Sequence, residues 1–145
     1  MMIKIVVVDG GKVPQYMTEG AACADCFSRL PTAYVVIPKD CRCLINLGFK
    51  IELPKGYEAV IRPRSGLSKV GLDIATGTID SDYRGEVKAL VINNTGGDYT
   101  VNNLDRICQM KIQKAEKHVF EIVNELSDSD RGSNGFGSTG LSSNK

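Results

Sequence analysis

Short apolar runs, separated by turn-forming residues, are the feature that most limits how this chain can fold. The runs are rich in β-branched side chains, and Gly, Pro, Asn and Asp stand between them, which is typical of short strands joined by turns. Only residues 65–70 have helical character, with Ser65 as the expected N-cap. The pattern predicts an all-β fold, an antiparallel barrel or jelly roll, with about nine strands at residues 3–8, 33–37, 42–53, 57–62, 77–79, 87–92, 99–101, 106–113 and 118–123.

Turn chemistry also suggests how the strands connect. Residues 77–79 and 87–92 are expected to form a hairpin, and residues 87–92 a second hairpin with residues 99–101. Gly48 is expected to be a bulge in one long strand over residues 42–53. The residues that follow Leu53, Pro54-Lys55-Gly56, should turn the chain into the strand at residues 57–62.

Size and charge narrow the class of protein. The chain has 145 residues, a mass of 15.7 kDa and a formal charge of +1, so we expect one domain that needs no disulfides. This charge balance gives no reason to expect a nucleic-acid partner. No apolar run approaches the roughly 18 residues of a membrane span, and the first eight residues do not resemble a signal peptide, so we expect a cytoplasmic protein without membrane contact.

Five cysteines leave two interpretations open. Cys23 and Cys26 form a C-x-x-C pair, and Cys41 and Cys43 follow, a spacing that superficially resembles a zinc site. We favour the other interpretation, in which Cys41 and Cys43 alternate along a strand as small hydrophobic residues and Cys108 is a buried thiol.

Residues 80–84, Asp-Ser-Asp-Tyr-Arg, form what we call the acidic turn. Asp and Ser are ordinary turn formers, so a plain surface turn is one interpretation. A solvent-facing turn does not, however, require two carboxylates, a tyrosine and an arginine within five positions. The cluster is therefore a candidate functional site.

Three further segments could contact a ligand. Arg64 and the N–H groups at Ser65, where a strand gives way to a helix, could bind an anion. Gln109 is expected on the same side of its strand as Asp105 and Ile107, opposite Arg106 and Cys108, where its amide could face a ligand. In residues 127–145, which have the composition of a disordered tail, the glycine-rich stretch 131–140 is either a flexible linker or a backbone nest for phosphate, and it lacks the lysine of a P-loop.

Together, five segments resemble the five ordered motifs of the trimeric dUTP diphosphatases: GAACAD (20–25), PRSGLS (63–68), GTIDSDYRG (77–85), DRICQ (105–109) and RGSNGFGSTG (131–140). The resemblance implies a distorted jelly-roll barrel (1–126), a homotrimer with active sites shared between subunits, and a flexible C-terminal arm (127–145) that closes as a lid. It further implies hydrolysis of dUTP to dUMP and diphosphate by water attack on the α-phosphorus, assisted by Mg²⁺. Such an enzyme limits uracil incorporation into DNA and supplies dUMP for dTTP synthesis.

The resemblance also implies roles for individual residues. Asp80 would be the catalytic carboxylate that orients and deprotonates the water. Tyr83 would pack on deoxyribose, and Asp25 would support Mg²⁺, most simply through its waters. The remaining implied substrate contacts are Gly77, Thr78 and Ile79 at uracil, Lys88 near the nucleotide, Arg64, Ser65, Gly66 and Gln109 at phosphate, and Arg131, Phe136, Gly137, Ser138 and Thr139 in the lid.

Departures from the family pattern concern the first motif above all, where Cys23, Ala24 and Cys26 replace the usual neighbours of Asp25. Leu104 and Asn134 also stand where glycine is frequent. Two alternatives remain: a related dCTP deaminase, which would need a glutamate base, and a nucleotide sensor that binds dUTP without turnover.

Overall fold

The computed structural model describes residues 2–135, and the regular secondary structure in this part of the chain is almost entirely β. Residues 2–135 contain one helix, α1, at Ser65–Ser68. Eleven strands surround it in sequence: β1 Lys4–Val7, β2 Ala24–Phe27, β3 Tyr34–Ile37, β4 Arg42–Asn46, β5 Phe49–Glu52, β6 Tyr57–Arg62, β7 Leu72–Ile74, β8 Gly77–Ile79, β9 Lys88–Asn93, β10 Tyr99–Asn102 and β11 Arg106–Lys114. The all-β prediction is confirmed.

The strands form four small sheets, and every pairing between them is antiparallel. The four-stranded sheet has the order β2-β11-β6-β8 and the three-stranded sheet the order β4-β9-β7, while β1 pairs with β5 and β3 with β10. Short sheets that turn corners into one another can wrap a single core, as in barrels and jelly rolls.

One apolar core lies between these sheets. It takes inward-facing side chains from all of them, for example Phe49 from β5, Ile61 from β6 and Val91 from β9, which are fully or almost fully buried. Along β5 and β9 buried residues alternate with more accessible ones, the period expected for strands with one face on a core. The core therefore follows directly from the alternating sequence pattern.

Both predicted hairpins are wrong. β8 pairs with β6, with Ile79 opposite Ala59, whereas β9 pairs with β4 and β7. Residues 80–87 cross from one sheet to another, so the acidic turn connects two sheets rather than two neighbouring strands. β10 likewise leaves β9 and pairs with β3, because the intervening turn is held by the side chain of Asn93, which donates to the carbonyls of Ile37 and Gly97 at 2.8 Å each.

Gly48 is not a bulge inside one strand. β4 ends at Asn46 and β5 begins at Phe49 in a different sheet, with Gly48 between them at φ +74°. A Cβ at Gly48 would lie 2.5 Å from the Cα of Gly11, so both the dihedral angle and the close approach require glycine. The turn after Leu53 is confirmed, because the Tyr57 N–H donates to the Pro54 carbonyl at 3.1 Å.

Two further expectations are corrected. The N-cap of α1 is Arg64, and no side chain caps the helix, so Ser65 is the first helical residue instead. The strand predicted at residues 118–123 does not form, and Val119, Phe120 and Ile122 are each at least 94% exposed, with β11 the last strand among the described residues. Alternation alone produces no strand where no partner strand is present.

No helix among residues 2–135 is both long and apolar enough to cross a membrane.

Candidate active site

The acidic turn is shaped by hydrogen bonds to its own backbone. The Tyr83 N–H donates to the Asp80 carbonyl at 3.1 Å, which closes a tight turn directly after β8. Arg84 Nη1 donates to the carbonyls of Ser81 and Tyr83, so this guanidinium stabilises the backbone of the turn. The Asp80 side chain is left exposed at the end of β8.

Asp80 lies between two cavities. The smaller, of about 180 Å³, is lined by the end of β8, the turn and the start of β9, with Thr78, Ile79, Asp80, Tyr83, Val87 and Lys88. The larger, of about 520 Å³, is lined by Lys55, Gly56, Tyr57, Glu58, Asp80, Ser81, Asp82, Ala115 and Lys117. The structure thus brings the predicted residues Thr78, Ile79, Asp80, Tyr83 and Lys88 together, with Gly77 at the start of the same strand.

A second group of predicted residues surrounds Asp25, which is only 8% exposed in β2. Its Oδ2 contacts Arg106 Nη1 at 3.2 Å and Arg64 Nη2 at 3.3 Å. Arg64 Nη1 also donates to the Arg106 carbonyl. Two guanidinium groups therefore share one carboxylate oxygen, which offsets the cost of burying the charge and fixes the direction of both arginines.

Gln109 belongs to this second group. It lies directly opposite Asp25 in the sheet, and its Nε2 donates to the Pro63 carbonyl at 2.8 Å. The predicted alternation along this strand is wrong, because a bulge between Arg106 and Cys108 places Ile107 and Cys108 both in the core. The bulge leaves Gln109 outside the core, at the end of β6 where α1 begins.

Ser65 and Gly66 stand at the start of α1. The first N–H groups used inside the helix are those of Leu67 and Ser68, which both donate to the Arg64 carbonyl. The N–H groups of Ser65 and Gly66 come before this ladder, as at any helix start. They therefore lie beside Arg64 as candidate donors to an anion.

Within one chain the two groups are far apart. Ile79 lies opposite Ala59, which places Asp80 beside the start of β6, whereas Arg64 follows the other end of that strand. Six residues at about 3.3 Å each put Asp80 and Arg64 about 20 Å apart along the sheet. Within residues 2–135, a single chain therefore does not bring Asp80 to the predicted phosphate contacts at the start of α1.

Metal binding depends on how the acidic and cysteine side chains are grouped. Among residues 2–135, no three His, Cys, Asp or Glu side chains are grouped so as to hold a metal. Asp25 already contacts two guanidinium groups, so it does not suit a direct Mg²⁺ site, whereas its second oxygen, Oδ1, could contact a hydrated ion. Cys26 and Cys108 lie opposite each other in the core, and the neighbouring Cys108 thiol, together with burial, raises the pKa of the Cys26 thiol.

In the C-terminal segment, Arg131 is exposed in a turn in which the Gly132 N–H donates to the Ser129 carbonyl. The predicted lid residues Phe136, Gly137, Ser138 and Thr139 lie outside the described residues.

Three residues near these groups were not predicted as site residues: Arg106, Arg29 and Glu86. Arg106 belongs to the DRICQ motif (105–109), so its place in that motif, three residues before Gln109, was the available signal. Arg29 and Glu86 form an ion pair at 3.4 Å between segments 57 residues apart, and no local pattern indicates such a contact.

A sequence profile of the dUTPase family matches residues 9–140. The chain belongs to the dUTPase family. Its relatives in the family include two proteins named deoxyuridine 5′-triphosphate nucleotidohydrolase. The one from Finegoldia magna is 43% identical over 143 residues, covering 97% of this chain and 99% of the relative, and the one from Bdellovibrio bacteriovorus is 45% identical over 133 residues, covering 90% and 89%.

The fold of the family is also seen in solved structures. A dUTPase of Staphylococcus bacteriophage 80alpha, solved with dUpNHpp, superimposes with a TM-score of 0.87 at 24% identity, covering 97% of this chain and 99% of the phage chain. At 24% sequence identity the match supports a shared fold and nothing more specific. The jelly-roll prediction for the dUTPase-family chain is thereby confirmed.

Proposed function

We propose that this chain is a dUTP diphosphatase, which hydrolyses dUTP to dUMP and diphosphate. One observation carries the proposal: relatives that share over 40% of their residues with this chain, across about nine-tenths or more of both lengths, are named for this activity. By releasing dUMP, the enzyme would lower the dUTP available for DNA synthesis and supply the precursor of dTTP. Its five free thiols suit a reducing compartment, so we place it in the cytoplasm.

Asp80 is the proposed catalytic residue. Water is a weak nucleophile near neutral pH, so attack on the α-phosphorus needs a fixed carboxylate that orients the water and accepts its proton. Asp80 suits this role because it is exposed between two cavities and its backbone is fixed by β8 on one side and by the turn to Tyr83 on the other.

The smaller cavity is the proposed nucleoside site. The backbone of Gly77, Thr78 and Ile79 would pair with the uracil edge, and close contact between the cavity wall and C5 of the base would exclude the methyl group of thymine. A cytosine amino group would meet a backbone donor there and leave both donors unpaired. The Tyr83 ring would pack on deoxyribose and exclude a 2′-hydroxyl, with Lys88 at the cavity edge.

The group around Asp25 is the proposed phosphate site. Arg64 would contact phosphate oxygens with the backbone donors of Ser65 and Gly66 and the amide of Gln109. The free chain already holds Arg64 in place through Asp25 and the Arg106 carbonyl, so little side-chain entropy remains to be lost on binding. The arm would complete the site, with the proposed lid contacts Arg131, Phe136, Gly137, Ser138 and Thr139.

A homotrimer with shared sites is the assembly we propose. The separation of about 20 Å along the sheet between Asp80 and Arg64 supports it, because a second copy can place the acidic turn of one chain against the phosphate site of another. The exposed apolar side chains of Val119, Phe120 and Ile122 also favour a surface covered by another subunit.

Magnesium is the proposed cofactor. A dUTPase from phage phi11 of S. aureus is described as coordinating a structural Mg(II) ion. In this chain the triphosphate would supply the direct ligands, with Asp25 contacting the hydration shell through Oδ1. Bound there, the ion would offset negative charge on the phosphate oxygens.

Release of diphosphate from dUTP, dTTP, dCTP and UTP, measured side by side with ammonia release, tests the proposal. We expect rapid diphosphate release from dUTP and little from the other three nucleotides. Ammonia from dCTP would instead support the deaminase, and tight dUTP binding without turnover would support the nucleotide sensor.

A further inference from the structure

Glu86, directly after Gly85, connects the acidic turn to the body of the barrel. Its Oε1 accepts a hydrogen bond from the Gly48 N–H at 3.1 Å and lies 3.4 Å from Arg29 Nη1. The side chains of Glu86 and Arg29 are only 18% and 30% exposed. We call Glu86, Gly48 and Arg29 the Glu86 anchor.

The partners of Glu86 are themselves fixed. Arg29 Nε donates to the Asp9 carbonyl at 2.7 Å, and the Arg29 N–H donates to the Asn46 carbonyl at 2.7 Å. The anchor therefore joins the turn to the end of β4 and to the residues that follow β1, which belong to two different sheets.

The backbone N–H of Gly48 needs the Glu86 carboxylate as its hydrogen-bond acceptor. Val87 bonds to the residues on either side of Gly48, since its N–H donates to Phe49 and its carbonyl accepts from Leu47, each at 2.9 Å. The Gly48 N–H between them is buried and points to Glu86 Oε1 instead. A buried N–H without an acceptor is costly, so this bond holds Glu86 in one position.

The backbone of Glu86 in turn holds Tyr83. The Tyr83 hydroxyl donates to the Glu86 carbonyl at 3.0 Å, and the ring lies so close over Gly85 that a Cβ there would overlap it. The position of the ring is thus set by the two residues that follow the turn. A shift of the Glu86 backbone would move the ring with it.

We propose that Glu86 is a positioning residue that sets the preference for 2′-deoxynucleotides over ribonucleotides. It does so by fixing the Tyr83 ring in a position that leaves no room for a 2′-hydroxyl on the sugar. The inference rests on the proposed function, in which Tyr83 faces the sugar. Glu86 does not touch the substrate and acts only through Tyr83. Arg29 contributes by holding the carboxylate against Gly48.

The test compares Glu86→Ala, Glu86→Gln and Arg29→Met with the wild type and with Glu52→Ala. Glu52 belongs to an exposed ion pair with Lys4 and serves as the matched control. The readouts are the ratio of kcat/KM for dUTP to that for UTP, and the ratio of Kd for UMP to that for dUMP. Thermal unfolding of each variant is recorded in parallel.

We expect Glu86→Ala to lower both ratios by about tenfold, because a loosened pocket discriminates poorly against one hydroxyl. Arg29→Met should lower both ratios as well. Glu86→Gln should keep most of the wild-type preference for deoxynucleotides, since its amide oxygen still accepts a hydrogen bond from the Gly48 N–H. Glu52→Ala should leave both ratios unchanged.

A lower Tm with unchanged ratios in Glu86→Ala and Arg29→Met would overturn the inference and leave Glu86 a purely structural residue. Failure of the wild type to hydrolyse dUTP would overturn the proposed function instead. The mononucleotide binding ratio is independent of turnover, so it tests the Glu86 anchor in either case.

Discussion

At the scale of single residues, the acidic turn offers two carboxylates with different expected roles. Asp80 ends β8 beside both cavities, whereas Asp82 lines only the larger one. We expect Asp80→Asn to lower kcat for dUTP by about 10³-fold, because the amide cannot accept the proton of water. Binding of a non-hydrolysable dUTP analogue should change little, since the side chain keeps its size.

Asp82→Asn is the matched control, with the same chemical change two residues away. Single-turnover diphosphate release and calorimetric binding measure the two effects separately. Turnover of Asp80→Asn within a few-fold of the wild type, or an equal loss in both variants, would exclude Asp80 as the base.

The sequence was enough to predict residues of the candidate site, but not which side chains contact one another in it. Asp25, Arg64 and Gln109 were predicted as site residues, and the structure brings these three together. That Asp25 is shared by two arginines depends on contacts between residues up to 81 positions apart. The bulge that turns Gln109 out of the core arises from pairing with β2, which a local pattern does not contain.

At the scale of elements, Asn93 joins two sheets at the end of β9. It is fully buried, its amide donates to the carbonyls of Ile37, Pro38 and Gly97, and its Oδ1 accepts from Thr95. We expect Asn93→Ala to lower the free energy of unfolding by about 3 kcal/mol, because buried polar groups lose their partners.

Asn94→Ala is the control for this prediction, since Asn94 is exposed and only its backbone N–H is bonded, to Gly71. Urea midpoints at one fixed protein concentration measure the difference. Equal midpoints for the two variants would show that the Asn93 side chain does not hold the sheets together.

Element positions were predictable where an apolar or alternating run was bounded by turn residues, as for β1, β6, β9 and β11. Strand partners were not predictable, because pairing is decided by packing between segments far apart in the chain. The hairpin expected around the acidic turn shows this difference. Its two arms are correct as strands, yet residues 80–87 carry the chain between sheets.

At the scale of the whole molecule, the proposed lid can be removed without touching the barrel. All described strands end by Lys114, so a chain that stops after Asp130 keeps every sheet. We expect this truncation to lower kcat/KM for dUTP by about 10²-fold or more, because the closing segment would no longer exclude water or contact phosphate. The Tm should stay within a few degrees of the wild type, and an unchanged rate would identify the segment as a linker.

The separation of Asp80 from Arg64 leads to a test of the shared site itself. Asp80→Asn and Arg64→Met should each be nearly inactive, but each chain keeps the group that the other lacks. If a site takes Asp80 from one subunit and Arg64 from another, co-expression in equal amounts assembles intact sites at random. Each site then has one chance in two of a working Asp80 and one in two of a working Arg64, so roughly a quarter of wild-type activity should return.

Mixing the purified variants without exchange of subunits is the control and should restore nothing. If co-expression also restored nothing, while both variants still assembled as trimers, each site would have to be built within one chain. A rearrangement of the barrel would then have to close the separation of about 20 Å between Asp80 and Arg64.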